Sequence, residues 1–296
     1  MWIRWCSEMI EITKIDLHMH STVSDGTDTP AELLSNVREA GICMFALTDH
    51  DSIKGCASLK AIRSENDPVL LNGVEFSCRD ELGRYHILGY DYDLTAKPIK
   101  DVVELSHALR IRKFMARIRY IRDKFGFTLP EEDIQSLLTL DNPGMPHIAN
   151  LMVHYGYAPS REKAIKQYLN HASSDSEYTR PEAAIQGILG SGGIPVLAHP
   201  AFGDGDQLII GQDMDKRLKR LIGFGLQGVE AFYSGFTPEL TAETLGFAEK
   251  YGLYVTAGSD YHGKNKHISL GSTHLSEAAA IPDGLVRFLE RVSQKQ

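Results

Sequence analysis

Disulfides, membrane spans, export signals and basic surfaces are all poorly represented in this sequence. Its four cysteines, Cys6, Cys43, Cys56 and Cys78, show no C-x-x-C spacing, and Cys43 sits in an apolar run as a small core residue would. No apolar run reaches the roughly 18 residues a transmembrane helix needs. The first dozen residues, with Arg4 and Glu8, contain no signal-peptide h-region. Positive charge is also short: 31 basic against 39 acidic residues give a net charge of -8, which argues against bulk nucleic-acid or anionic-membrane binding. There is no internal repeat and no low-complexity tract. A reduced, cytoplasmic enzyme is the expectation left standing. What remains is an ordinary globular composition, 43% apolar and 24% charged over 296 residues, enough for one large domain carrying an insertion.

Read in order, the chain alternates strands and helices. A strand over about 12–19 leads into the loop Ser21–Gly26. Thr29-Pro30-Ala31-Glu32 opens a helix with a cap, a proline at the first helical position and a glutamate reaching back. Met44–Thr48 is a strand emptying into Asp49-His50-Asp51, followed by a helix over about 53–64. Strands over 69–76 and 84–90 carry Glu75 and His86. Such alternation predicts parallel βαβ units, with polar residues gathered at strand ends on one face of a barrel. Between about Pro98 and Arg180 only helices are predicted. The first of them is long and basic, with six basic residues from Arg110 to Arg122. The alternation then resumes, with strands ending in His199-Pro200 and in Gly258-Ser259-Asp260-Tyr261-His262, a short strand Gly228–Ala231, and a last amphipathic helix over 283–293.

His18 and His20 stand two residues apart on a strand, so both imidazoles point to one side while Ile15, Leu17 and Met19 point to the other. Collected with the other strand-end groups, they form a set of six imidazoles and three carboxylates: His18, His20, Asp25, His50, Glu75, His86, His199, Asp260 and His262. Taken singly, each has an ordinary reading, such as a turn aspartate or a hydrogen-bonded core histidine. Their repetition at successive strand ends argues for ligation. Nine ligands exceed what one ion takes and suit two or three ions sharing a bridging carboxylate, with Glu75 the expected bridge.

Asp16-Leu17-His18-Met19-His20, Thr48-Asp49-His50-Asp51, Gly73-Val74-Glu75, His86-Ile87-Leu88-Gly89, Ala198-His199-Pro200 and Ser259-Asp260-Tyr261-His262 resemble, in order, the motifs of the PHP family of metal-dependent phosphoesterases. The resemblance runs from about Lys14 to Gly271 and takes in the helical stretch through Pro146-His147-Ile148-Ala149 and Tyr178. It implies an α/β fold, a distorted (β/α)7 barrel formed by 14–97 and 181–296 with a small all-helical insertion at 98–180. It also implies two or three divalent ions, manganese, iron or zinc, on the nine residues above. Asp25 stands where some relatives use histidine. That points to a subgroup of 3′,5′-nucleotide bisphosphate phosphatases and cyclic phosphate dihydrolases.

One departure bears on substrate. The bisphosphatases of this family usually read Arg-x-His-x-Ala-Arg where this chain reads Met145-Pro146-His147-Ile148-Ala149-Asn150. Methionine and asparagine cannot give the bidentate, charge-assisted grip of arginine on phosphate. Arg112 and Arg117 on the long helix are then the expected substrate contacts, with His147, and Arg180 is a further candidate. The expected reaction is hydrolysis of a phosphate ester in a small phosphorylated metabolite. The attacking group is hydroxide, formed from water that the ions acidify, with Glu75 and Asp260 as catalytic carboxylates. A cyclic diester cleaved through to inorganic phosphate and a 3′,5′-bisphosphate are the two substrate readings. Two rivals of other classes are a non-catalytic regulatory module and a hydrolase of amide or other non-phosphate bonds.

Overall fold

The computed structural model describes residues 2–5, 8–140, 142–172, 178–203 and 207–294, with 2–5 and 8–10 through their backbone alone. Cys6 lies outside the described residues. The chain divides into two compact units, residues 1–103 with 180–296, and residues 104–179.

The first unit opens with an antiparallel pair, β1 (Trp2–Trp5) and β2 (Glu8–Glu11), which the sequence reading did not anticipate. Seven strands then form one sheet in chain order: β3 (Ile15–Met19), β4 (Met44–Leu47), β5 (Val69–Asp80), β6 (Gly83–Tyr90), β7 (Ile194–Leu197), β8 (Gly228–Tyr233) and β9 (Tyr254–Gly258). The sheet curls until its edges meet. Met19 bridges Tyr261, the His20 N–H donates to the Tyr261 carbonyl at 2.8 Å, and the Asp260 N–H donates to the His18 carbonyl at 2.8 Å. Every residue of β3, β4, β7 and β8 is buried, as strands covered on both faces require. The result is the seven-stranded α/β barrel that the family resemblance implied.

Its helices are α1 (Pro30–Glu39), α2 (Lys54–Ile62), the start of α3 (Lys97–Phe125), α7 (Pro181–Gly190), α8 (Gly211–Gly223), α9 (Pro238–Tyr251) and α10 (Asp283–Ser293). The capping box predicted at α1 forms: Thr29 Oγ1 accepts the Glu32 N–H, and the Glu32 carboxylate accepts the Thr29 N–H at 2.8 Å. α8 escaped the sequence reading, although Met214, Leu218 and Leu221 fall on one buried face at helical spacing.

One expectation needs correcting. β6 is antiparallel to both neighbours, because only the turn Glu81-Leu82 joins it to β5 and so short a link permits a hairpin but no crossover. β3, β4, β7 and β9 contribute candidate ligands at or just beyond their C-terminal ends, whereas Glu75 lies in the middle of β5. β6 runs the opposite way and offers His86 from its first half, opposite Ser77.

Phe288 of α10 is fully buried, edge-on to Tyr90 at 5.6 Å and to Tyr254 at 6.1 Å. Truncating it in Phe288→Ala should cost about 3–5 kcal/mol of stability. Denaturant unfolding measures this. Activity per folded molecule should not change, because the Phe288 ring packs on Tyr90 and Tyr254 within the hydrophobic core.

The second unit holds the rest of α3 with α4 (Glu131–Leu138), α5 (Met145–His154) and α6 (Arg161–Gln167), packed around Phe114, Ile118, Ile121, Ile148, Met152 and Leu169. Among the described residues no helix is long and apolar enough to cross a membrane.

Candidate metal centre

The nine predicted ligands all belong to the barrel unit, and they converge around Glu75. One carboxylate oxygen, Oε2, lies 3.3 Å from His18 Nε2, 3.2 Å from His20 Nε2 and 3.0 Å from His50 Nδ1. The other, Oε1, lies 2.9 Å from His86 Nδ1 and 3.4 Å from His199 Nε2. Asp260 Oδ1 faces His18 and His20 at 3.5 and 3.3 Å and His262 Nδ1 at 3.4 Å. Asp25 Oδ1 is 3.3 Å from His262 Nε2, and its second oxygen is 4.0 Å from His50 Nε2. Three groups have ligand atoms close enough to share an ion: His20, Asp25, His50 and His262; His18, His20 and Asp260; and His50, Glu75 and His86. His20 and His50 each belong to two groups.

Electrostatics bind the set together. Burial opposes ionisation of Glu75, yet His50, His86 and His18 outweigh it and hold the carboxyl well below the usual range. Burial likewise works against charge on His20, but Asp260 and Glu75 push it up to about 9. Burial dominates at His50, which is held well below the ordinary imidazole value. Both Glu75 oxygens, His18 Nε2, His20 Nε2 and His86 Nδ1 are buried and accept or donate no hydrogen bond among the described residues. Lone pairs aimed inward in this way suit cations, and mixed imidazole and carboxylate donors suit manganese, iron or zinc. The residues present therefore fit divalent ions.

Backbone and outer groups hold the ligands in place. Asp16, fully buried, accepts the N–H groups of Ser259 at 2.9 Å and Gly271 at 2.8 Å, tying the start of β3 to the segment that carries Asp260. Asp49 accepts the Ser21 N–H at 2.8 Å and the Ser24 hydroxyl at 2.7 Å, so it anchors the loop bearing Asp25. That loop passes so close to β3 that a Cβ on Gly26 would lie 2.3 Å from the His20 carbonyl oxygen. Gly26→Ala should displace Asp25 and destabilise the protein by about 1–3 kcal/mol, as overpacking does. A fall in unfolding temperature accompanied by weaker metal uptake would show both effects. His199 and Asp260 adopt positive φ values of 27° and 58°, a conformation that non-glycine residues hold only when their surroundings over-determine it.

Several contributors escaped the sequence reading. Asp260 Oδ2 accepts the Tyr233 hydroxyl at 3.0 Å and the Lys266 ammonium at 2.5 Å. Glu230, at the centre of β8, accepts from His18 Nδ1 at 2.9 Å and from the His199 N–H at 2.9 Å. Its signal in the sequence is a carboxylate flanked by Val229 and Ala231 in a strand with no exposed face. Asp16 and Asp49 sit inside recognised motifs without an assigned role there.

The three residues expected to bind substrate lie in the helical unit. Arg117 is buried and Arg112 exposed, so the two do not share a face of α3. Arg110, Lys113 and Arg117 do share one, at helical spacing, with Lys113 over the Tyr178 ring at 3.5 Å. His147 Nδ1 accepts the Gly144 N–H at 3.1 Å, in the first turn of α5. Met145 packs against the apolar cluster of this unit, and Asn150 is exposed.

Comparison with known proteins adds to this geometry. The family model of the PHP domain matches residues 16–178. A 5'-3' exoribonuclease of Haemophilus influenzae is 29% identical, with 87% of this chain and 93% of the relative covered. A 3',5'-nucleoside bisphosphate phosphatase of Chromobacterium violaceum is 30% identical, covering 85% and 88%. A phosphoribosyl 1,2-cyclic phosphate 1,2-diphosphodiesterase of Eggerthella lenta is 28% identical, covering 84% and 94%. Among solved structures, a protein of Bifidobacterium adolescentis, provisionally described as a metal-dependent phosphoesterase, superposes with a TM-score of 0.75 at 28% identity, covering 94% and 96%. With the family model spanning more than half its length, the chain belongs to the PHP-domain family, and with it to the metal-dependent hydrolases of phosphate esters.

Proposed function

We propose that this protein hydrolyses a phosphate ester of a small metabolite at two or three divalent ions held by His18, His20, Asp25, His50, Glu75, His86, His199, Asp260 and His262, and that a five-membered cyclic phosphate, opened and then cleared to inorganic phosphate, is its preferred substrate type. The observation that carries the metal reading is the sharing of one buried carboxylate: three imidazoles face one oxygen of Glu75 and two face the other. When bound, divalent ions there acidify water and neutralise charge on a phosphoryl group.

The chain's own residues do the rest. Glu75 supplies negative charge between neighbouring candidate ion positions, its two oxygens faced by five imidazoles. Asp260, with one oxygen taken by Tyr233 and Lys266 and its carboxyl held well below the usual range, serves as a fixed anionic ligand. Burial opposes that ionisation, but His18, His20 and Lys266 outweigh it. The walls of buried strands exclude bulk water from His18 and His20, which strengthens each of these interactions. Arg117 and His147 are the proposed contacts to the rest of the substrate, in preference to Arg112, which lies on another face of α3.

What supports the cyclic reading is Met145 and Asn150, where the family resemblance implies arginine, together with the similarity to a cyclic phosphate diesterase. The similarity to an exoribonuclease favours a second reading, a 5'-phosphorylated RNA end, against which the acidic net charge of -8 counts. A screen of manganese-loaded protein separates them, reading inorganic phosphate from cyclic, sugar and nucleoside phosphates and mononucleotides from a short 5'-phosphorylated oligoribonucleotide. Turnover of a cyclic phosphate through to inorganic phosphate is expected. Turnover of the oligonucleotide alone would replace the first reading by the second, and neither phosphate nor mononucleotide from any of these substrates would end both.

A further inference from the structure

Glu230 is a charged side chain at the centre of a strand whose six residues are all buried, and it is itself fully inaccessible. A carboxylate in that position is costly, and a well-packed hydrophobe of similar size is often as stabilising or more so. Among the described residues, its carboxylate hydrogen-bonds to two of the candidate ligands. Oε1 lies 2.9 Å from His18 Nδ1, and Oε2 accepts the backbone N–H of His199 at 2.9 Å.

The consequences for His18 are specific. With Nδ1–H donating to Glu230, the ring is locked in the tautomer whose Nε2 carries the lone pair. That Nε2 is the atom 3.3 Å from Glu75 and 3.5 Å from Asp260. At His199, the same carboxylate fixes the backbone where φ is 27°, just after β7, and so sets the direction from which that imidazole approaches Glu75. The neighbouring strand leaves room for this arrangement. A Cβ on Gly258 would lie 2.2 Å from His18 Cβ and 2.5 Å from Glu230 Oε1, so β9 carries a glycine where Glu230 and His18 meet.

We infer that Glu230 is the positioning residue of the metal centre, holding His18 and His199 in the orientation that ligates. The inference rests on the metal reading proposed above. A carboxylate behind a ligating imidazole fixes its tautomer and raises its basicity, and removing such a partner weakens metal binding by about 10–100-fold.

Two variants of the full-length protein test this, Glu230→Gln and Glu230→Asp. The first keeps the shape and an acceptor oxygen but removes the charge, and the second keeps the charge but shortens the reach. Each is stripped of metal and titrated with Co²⁺ against a competing chelator. The visible absorption of bound Co²⁺ and the unfolding temperature of the metal-free protein are recorded in parallel. Both variants should bind about 10–100-fold more weakly than the parent, with an altered Co²⁺ spectrum, while the metal-free unfolding temperature changes little. Parental affinity and spectrum in both variants would overturn the inference. So would weaker binding that merely tracks a lost folded fraction. If Glu230→Gln fails to fold, Glu230→Asp decides by the same two criteria. Should the parent itself take up no Co²⁺, Mn²⁺ or Zn²⁺, the metal reading falls and this inference with it, whereas a parent that binds alongside unaffected variants removes the role of Glu230 alone.

Discussion

Glu75→Gln should lower kcat/KM for any phosphate ester the protein turns over by about a thousandfold or more, roughly 4 kcal/mol of transition-state stabilisation. The side chain keeps its shape, so the packing of β5 survives. What disappears is the negative charge that five imidazoles face from two sides. An amide offers one acceptor oxygen and an NH₂ group, and the NH₂ would point a donor at positions the ions need. Activity should therefore fall out of proportion to stability. The check pairs steady-state kinetics with thermal unfolding in the presence and absence of Mn²⁺. Ligand binding stabilises the folded state by mass action, so the parent should gain unfolding temperature on adding Mn²⁺ and the variant should gain much less. A variant with near-parental kcat/KM would show that Glu75 holds nothing the reaction needs.

The second large effect concerns the substrate. A 3′,5′-bisphosphate should be turned over poorly, about two to four decades below what a site with both arginines would reach, because each charge-assisted hydrogen bond to phosphate is worth roughly 1.5–3 kcal/mol. The ions serve the phosphoryl group being cleaved, and a second phosphate needs fixed cationic donors. This chain has methionine and asparagine where the family resemblance implies arginine, and Met145 packs with the apolar cluster of the helical unit. The comparison is kcat/KM for a 3′,5′-bisphosphate, a nucleoside 5′-monophosphate and a five-membered cyclic phosphate. The cyclic ester should lead. Installing both arginines, Met145→Arg with Asn150→Arg, should raise the bisphosphate rate and leave the cyclic ester little changed. A bisphosphate best by tenfold in the parent would refute the argument from Met145 and Asn150.

Much of the barrel is readable from local chemistry. The capping box at Thr29 and Glu32 and the buried runs of β3, β4 and β7 carry their own signals, and the structure realises them. The direction of β6 is less visible, because a run such as Tyr85–Tyr90 has the same composition whichever way it lies in the sheet. Only the shortness of the Glu81-Leu82 link reveals the hairpin. Likewise, the candidate ligands were legible because histidine and carboxylate recur at strand ends in order. Their supports were not. Glu230 and Tyr233 act on His18 and Asp260 from β8, and such partnerships depend on which strands become neighbours, which spacing along the chain does not encode. Arg112 and Arg117 show the same limit on a helix: both read as basic positions, but one is exposed and the other buried.

The most direct measurement is the metal content of the full-length protein, purified without chelator, reloaded with Mn²⁺, Fe²⁺ or Zn²⁺, freed of excess ion and analysed for metal per chain. Two to three equivalents are expected, as the three overlapping groups around Glu75, Asp260 and Asp25 imply. Less than one equivalent with every one of these metals would contradict a multinuclear centre.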